Sequence, residues 1–126
     1  AVAAATPLEH AVAKGREILA EQRVYIEGVK ARAVLAVIAG HVVPVVECGR
    51  HCASEIVGEL SEGHPFAASW QERDGVIHYE LRSRAGGLAV NEVARQFGGG
   101  GHKHAAGFSA PRVVHASAEG AREVSP

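Results

Sequence analysis

Four consecutive glycines, Gly98 to Gly101, run directly into His102, Lys103 and His104 and then into Ala105-Ala106-Gly107-Phe108. A backbone stripped of side chains lets its N–H groups come close to an anion. The adjoining histidine adds ring donors whose charge changes near neutral pH. Gly99, Gly100, Gly101, His102 and Lys103 therefore form a candidate phosphate cradle, with His102 its strongest member and Lys103 supplying long-range attraction. The plainer alternative is a helix stop followed by a flexible linker, because glycine commonly follows a helix end. The ordered small and aromatic residues after His102 weigh against a linker. His104 reads as incidental.

Two further groups carry chemistry. Arg82 presents a planar fork of donors suited to phosphate, and Ser83 beside it can donate one hydrogen bond. The competing role for Arg82 is a surface ion pair with Glu80. Arg84, next to Gly86 and Gly87, is a weaker candidate. Separately, Cys48, His51 and Cys52 place soft ligands within one helical turn, and His102 or His104 could complete a tetrahedral zinc site. Packing of the two cysteines beside apolar neighbours is the stronger reading.

The elements that must position these groups follow from periodicity. Thr6-Pro7-Leu8-Glu9 is a capping box with proline at the first helical position. Apolar residues at helical spacing then carry a long helix toward Ile26 and Val29. Ala33 to Ile38 and Val42 to Val46 read as a strand pair, with Pro44 predicting an edge or a local irregularity. Ala53 to Leu60 reads as a helix stopped by Gly63 and Pro65. Phe66 to Glu72 and Val76 to Ser83 flank Arg73-Asp74-Gly75, a hairpin signal. In the second of these strands Ile77, Tyr79 and Leu81 alternate with His78, Glu80 and Arg82, which sends Arg82 to the face opposite Leu81. A helix spans Val90 to Phe97. The spacing allows a short helical turn over His102 to Ala106, whose free N–H groups would face a ligand beyond the glycines. Phe108 to Ala110 reads as a last strand, and residues beyond Arg112 as a frayed tail.

The run Gly99-Gly100-Gly101-His102 with Ala105-Ala106-Gly107-Phe108 resembles the signature of the DHH-associated domain, the C-terminal domain of DHH-type phosphoesterases. That group includes single-strand exonucleases, oligoribonucleases acting also on adenosine bisphosphate, cyclic-dinucleotide phosphodiesterases and exopolyphosphatase-like members. Arg82-Ser83 is similar to the end of the family's Ser-x-Arg-Ser element, although this chain reads Glu80-Leu81-Arg82-Ser83. Val90 to Phe97 looks like the family's connecting helix. The resemblance covers most of residues 16–110, with its specific signal in 80–108. It implies that Arg82, Ser83, Gly99, Gly100, Gly101, His102 and Lys103 bind the phosphate of a substrate. It also implies an N-terminal DHH domain in cis, holding two divalent cations, usually manganese.

This chain carries no Asp-His-His triplet, and Asp74 is its only aspartate. Two-metal phosphoester hydrolysis needs several carboxylate and imidazole ligands around paired cations. No catalytic residue and no cofactor is therefore assigned to these residues, and the absence of methionine fits an excised C-terminal portion of a larger protein.

A formal net charge of −1 with interspersed signs advertises no general polyanion-binding face. A few placed cations reading a short nucleotide fit better. No run is apolar enough for a membrane span, and two cysteines are too few for a disulfide framework, which favours the cytoplasm.

The expected architecture is α/β: a mixed sheet of about five strands flanked by helices and preceded by a long N-terminal linker helix. Residues 1–30 would be the linker, 31–112 the substrate-binding domain and 113–126 a C-terminal tail. The expected function is substrate recognition for a metal-dependent phosphoesterase. A stand-alone nucleotide-binding or regulatory module, a single-stranded nucleic-acid binding domain, and a parent whose active site has decayed stay open. Candidate partners are a phosphorylated nucleotide, a cyclic dinucleotide or a short single strand, and a homodimer is compatible.

Overall fold

The structure, a computed structural model, describes residues 6–118. Helix α1 spans Pro7–Lys30. Thr6 caps it reciprocally with Glu9: the Glu9 N–H donates to Thr6 Oγ1 at 3.1 Å, and the Thr6 N–H donates to Glu9 Oε2 at 2.9 Å. At about 1.5 Å per residue the helix is roughly 36 Å long. Only Ile26 and Val29, near its C-terminal end, are buried.

The other described residues are organised by one seven-stranded mixed sheet. In chain order its strands are β1 (Val34–Ile38), β2 (His41–Glu47), β3 (Ala67–Arg73), β4 (Val76–Arg82), β5 (Gly100–His102), β6 (Ala105–Ala110) and β7 (Ala116–Ser117). Helix α2 (Ala53–Leu60) connects β2 to β3, the only parallel pair among the described residues, and α3 (Val90–Gln96) connects β4 to β5. The spatial order is β5-β6-β4-β3-β2-β1-β7. The helices and most strands fall where the sequence pattern places them, but the sheet has seven strands where about five were expected.

The two tight hairpins explain themselves. Between β3 and β4, Asp74 and Gly75 both take positive φ (53° and 78°), the backbone of a two-residue turn whose twist matches the strands. Ala39 and Gly40 do the same between β1 and β2, at 50° and 84°. Pro44 does not mark an edge strand. It sits inside β2, opposite Leu35, just before the pairing with β3 begins at Val45. Its missing N–H therefore costs no ladder bond to β3.

Register divides the sheet into two faces, because directly opposed residues point the same way. On one face α3 closes a core that includes Phe66, Tyr79, Leu81, Val90, Val93, Ala106 and Phe108. Phe97, Phe108 and Tyr79 stack in series, with centroids 4.4 and 4.6 Å apart. On the other face a smaller core of Ile26, Val29, Val46, Cys48, Ala53 and Ile56 lies beneath α1 and α2. Arg23 and Lys30 of α1 both reach Glu59 of α2, at 2.6 and 3.0 Å, and hold its carboxyl down near pH 2. This second layer stops short of β6 and β5. Over β4, Ser54 of α2 reaches Glu80 and Arg82, and the strip of that face over β6 and β5 carries no helix among the described residues.

Two local readings are corrected. Residues His102 to Ala106 make no helical turn: His102 ends β5, Lys103 and His104 form the turn, and Ala105 opens β6. Small residues that suit a turn also suit tight strand pairing, and pairing wins here. The tail expected beyond Arg112 is structured as far as it is described. Val114 is buried, its N–H donates to Tyr79 Oη at 3.0 Å, and β7 pairs with the outer edge of β1. Residues 1–5 and 119–126, parts of the expected linker and tail, lie outside the described residues.

Candidate functional site

The glycine run does several jobs, one per residue. Gly98, at φ 84°, terminates α3: its N–H bonds Arg95 O at 3.1 Å, and the Gly99 N–H bonds Ala94 O at 2.9 Å. This is a Schellman ending, which needs a left-handed residue at that point. The helix-stop reading is thus correct for Gly98, and the linker reading is not. A Cβ on Gly99 would lie 2.2 Å from Gly107 O and 2.5 Å from Phe108 Cβ, so close strand approach demands glycine there. Gly101 is bound twice over, by φ 146° and by Ala106 Cα at 2.6 Å. Gly100 differs. It is exposed, and a Cβ there would meet nothing within 4 Å.

Pairing then sets the lateral geometry. His102 opposes Ala105, and Ala105 opposes Arg82. The three side chains share one row on the face opposite α3, with Arg82 beside α2 and separated from His102 by two strand spacings, about 10 Å. The neighbouring row is Gly100, Gly107 and Glu80. Two of its three members have no side chain, which leaves a bare backbone floor. A Cβ on Gly107 would lie 2.7 Å from Tyr79 O, so packing also requires that glycine.

Arg82 is engaged on its other side. Its Nη2 donates to Ser54 Oγ at 3.0 Å, Ser54 Oγ donates to Glu80 Oε1 at 2.9 Å, and Glu80 lies 3.7 Å from Arg82 Nε. Arg82 Nε is buried without a hydrogen-bond partner. The guanidinium thus leans toward α2 rather than toward His102, held by exposed bonds that a stronger acceptor could replace. Glu80, where the resembled motif has serine, holds that arrangement.

Ser83 is committed to the fold. It is buried, and its hydroxyl donates to Leu88 O at 2.7 Å. Its oxygen also lies 2.9 Å from His104 Nδ1. Because the single O–H is already used, Nδ1 must carry a proton and donate to Ser83. Backbone bonds from Ser83 N to His104 O and from Val90 N to Lys103 O dock the β5–β6 turn onto the loop after β4. His104, read as incidental, therefore anchors the turn beside His102. Lys103 and Arg84 are exposed.

The cysteines do not converge with the distant histidines. Cys48 is buried beside Ser69, and burial pushes its thiol up. Cys52 Sγ accepts from Gln22 Nε2 at 3.1 Å, and His51 packs against the Tyr25 ring. Among the described residues no group of three or more His, Cys, Asp or Glu is placed to hold a metal ion. No helix among them is long and apolar enough to cross a membrane.

The family model of the DHHA1 domain matches residues 50–123. The chain belongs to the DHHA1 domain family. The matched span contains α2, α3, β3 to β7 and every predicted phosphate-binding residue. DHHA1 is the accessory domain of DHH-family phosphoesterases and occurs alongside an N-terminal DHH domain. No curated protein matches the chain significantly.

Sequence reasoning missed a second group on the open face of this DHHA1 domain. A groove of about 500 Å³ runs beside Gly98 and Gly99, and Arg50, Arg73 and His78 line it. The alternation in β4 already put His78 on the face of Arg82. Arg73 faces the same way, two steps beyond Gln71, the partner of His78. Arg50 lies on the loop before α2, where no periodicity reveals its direction.

Proposed function

We propose that this DHHA1 domain is the substrate-recognition half of a DHH-type phosphoesterase, and that it holds a phosphate of a nucleotide or short single strand between Arg82 and His102 over the Gly100–Gly107 floor. The observation that carries this reading is the row His102–Ala105–Arg82 on the face opposite α3. A small residue stands between two donors there, so an anion can settle without displacing a side chain. Arg82 supplies a charge-assisted fork, His102 a ring donor and Gly100 an unshielded backbone. Lys103 adds field strength from the turn. Ser83 acts through His104, by keeping the turn in place.

The chemistry supported is water attack on phosphorus, to which this half contributes positioning and charge neutralisation. The two divalent cations of such an enzyme need a donor set that a single aspartate does not provide, and no ligands cluster among the described residues. They belong to the DHH domain in this reading, and no step is assigned to them here.

The test is a titration of the isotopically labelled chain with a 5′-mononucleotide, followed by amide NMR. Shifts are expected at residues 99–103 and around Arg82, with weak affinity because a domain partner supplies the rest of the cleft. Shifts clustered elsewhere overturn the assignment. Incubated with manganese and a model phosphodiester, the chain alone should release no product above a mock-purified control.

A further inference from the structure

We propose that the N-terminal half of α1 is a self-association surface, on which a second copy of this chain lays its own α1 antiparallel. The phosphate site shares no residue with this surface. From Pro7 to Glu21 no residue of α1 is buried, and Leu8, Val12, Ile18 and Leu19 are 73%, 45%, 53% and 65% exposed. A helical stretch of that length is marginal in water on its own. A contiguous line of large apolar side chains along it marks a contact surface.

Spacing says what kind of surface fits. Leu8, Val12, Gly15 and Leu19 recur at alternating steps of four and three, and Gln22, Ile26 and Val29 continue the same steps. That is the seam of a coiled coil. The domain itself takes the C-terminal end: Ile26 and Val29 are buried in one core with Val46 and Ile56, and Gln22 bonds Cys52. The four N-terminal positions prolong this packed seam and belong to neither core.

Self-complementarity decides the occupant and its direction. With Leu8 laid over the partner's Leu19 in antiparallel fashion, Val12 falls over the partner's Gly15. A side chain then meets a gap, since a Cβ on Gly15 has nothing within 4 Å inside its own chain. Beside the seam, Glu9 comes next to the partner's Arg16 and Ala11 next to the partner's Ile18. The two-fold axis makes each of these contacts twice. A parallel pair would set Gly15 against Gly15 over a void and Arg16 against Ala11, with no charge to meet. In the antiparallel register Pro7 stands across from the partner's Ala20, just short of Gln22, where the partner's own domain takes over the seam. The overlap is as long as the free seam and no longer, about 21 Å. A helix pair of that length falls at the small end of specific interfaces, so the dissociation constant should be on the order of 10 µM.

The experiment is sedimentation equilibrium of the chain from micromolar to millimolar concentration, where a monomer–dimer equilibrium is expected. Leu19→Glu, at an exposed position, should weaken dimerisation by about a hundred-fold or more. At concentrations where both chains are monomeric its melting temperature should match that of the unsubstituted chain. Arg16→Glu sets like charges beside Glu9 and should weaken the dimer several-fold at low salt. Direction is read by mixing the Val12→Cys chain with the Gly15→Cys chain, oxidising with diamide and mapping the linked peptides by mass spectrometry. Linkage of position 12 to position 15 is expected. Linkage of position 12 to itself would show a parallel pair and overturn the proposal. A chain that stays monomeric at millimolar concentration, or a dimer that Leu19→Glu leaves intact, overturns it as well; the first result would hand the seam to the DHH domain in cis.

Discussion

Strands β4 and β6 present two faces made from alternate residues of the same segments, and the faces could hardly differ more. Under α3 they carry Tyr79, Leu81, Ala106 and Phe108, none more than 9% exposed. On the reverse they carry His78, Glu80, Arg82, Ala105, Gly107 and Ser109, a partly exposed set that α2 meets at Glu80 and Arg82 through Ser54. The first face tolerates little change in volume, because close-packed interiors register even a methyl group. The second has no such constraint, so its residue types reflect what it must contact. The glycine run stands where both demands meet. Gly99, Gly101 and Gly107 are required by backbone approach, whereas Gly100 is not.

That contrast is easiest to break with alanine. Gly99→Ala puts a Cβ into Gly107 and Phe108, and forced overpacking of this kind costs about 3 kcal/mol. The melting temperature should fall by roughly 10 °C or more. Gly100→Ala, with nothing within 4 Å, should leave it within roughly 4 °C while weakening nucleotide binding. Equal thermal losses in the two variants, read by calorimetry, would erase the distinction between packing and contact glycines.

The next effects concern the open face alone. His102→Ala and Arg82→Ala should each lower nucleotide affinity by roughly ten- to a hundred-fold, the worth of one charge-assisted contact. In an intact parent enzyme the loss should fall on kcat/KM. Both side chains are partly or fully exposed, so circular dichroism melts should move little. Full retention of binding by both variants would return the open face to ordinary surface.

A smaller effect belongs to the closed face. Tyr79 Oη accepts from the Val114 N–H at 3.0 Å and lies in hydrogen-bond distance of His115 Nδ1, at 2.8 Å. Burial holds His115 below its ordinary pKa of 6.5. The unfolded chain therefore takes up the proton more readily than the folded one. This contribution to stability is complete above about pH 6.5 and is lost as the pH falls below that value. Denaturant midpoints should decline from pH 7.5 to 5.5, and His115→Phe should flatten the decline. Smallest of all, Lys103→Ala should change nucleotide affinity less than three-fold at physiological salt, since an exposed lysine acts only through a screened field.

Much of this was legible beforehand, and the reasons divide by range. The capping box at Thr6, the Asp74-Gly75 hairpin and the alternation over Val76 to Arg82 are local signals, and they predict local structure correctly. The α/β mixed sheet and the long first helix follow from them. What escaped depends on pairing across the chain. β5 is three residues of glycine and histidine with no strand propensity of its own, and it exists because β6 offers a small-residue partner. β7 is two residues of weak pattern fixed by β1 and by the Tyr79 hydroxyl. The site shows the same division. Arg82, Gly100 and His102 were visible as types and spacings. The commitment of Ser83 to Leu88 and His104 was not, since both partners are set by the docking of a turn. Pro44 misled because a strand can lack a partner on one side for part of its length.

The pairing of β7 with β1 carries a consequence for synthesis. Ala36 and Val37 meet their outer partners only at Ser117 and Ala116, far downstream in the sequence. Until those residues leave the ribosome, the β1 edge stands open, with Val34, Leu35 and Val42 beside it and exposed even in the finished fold. An open apolar edge is a template for another strand. A ribosome that stalls before residue 116 would therefore hold a nascent chain able to recruit a neighbour's strand, and the two residues of β7 act as the stopper for that edge.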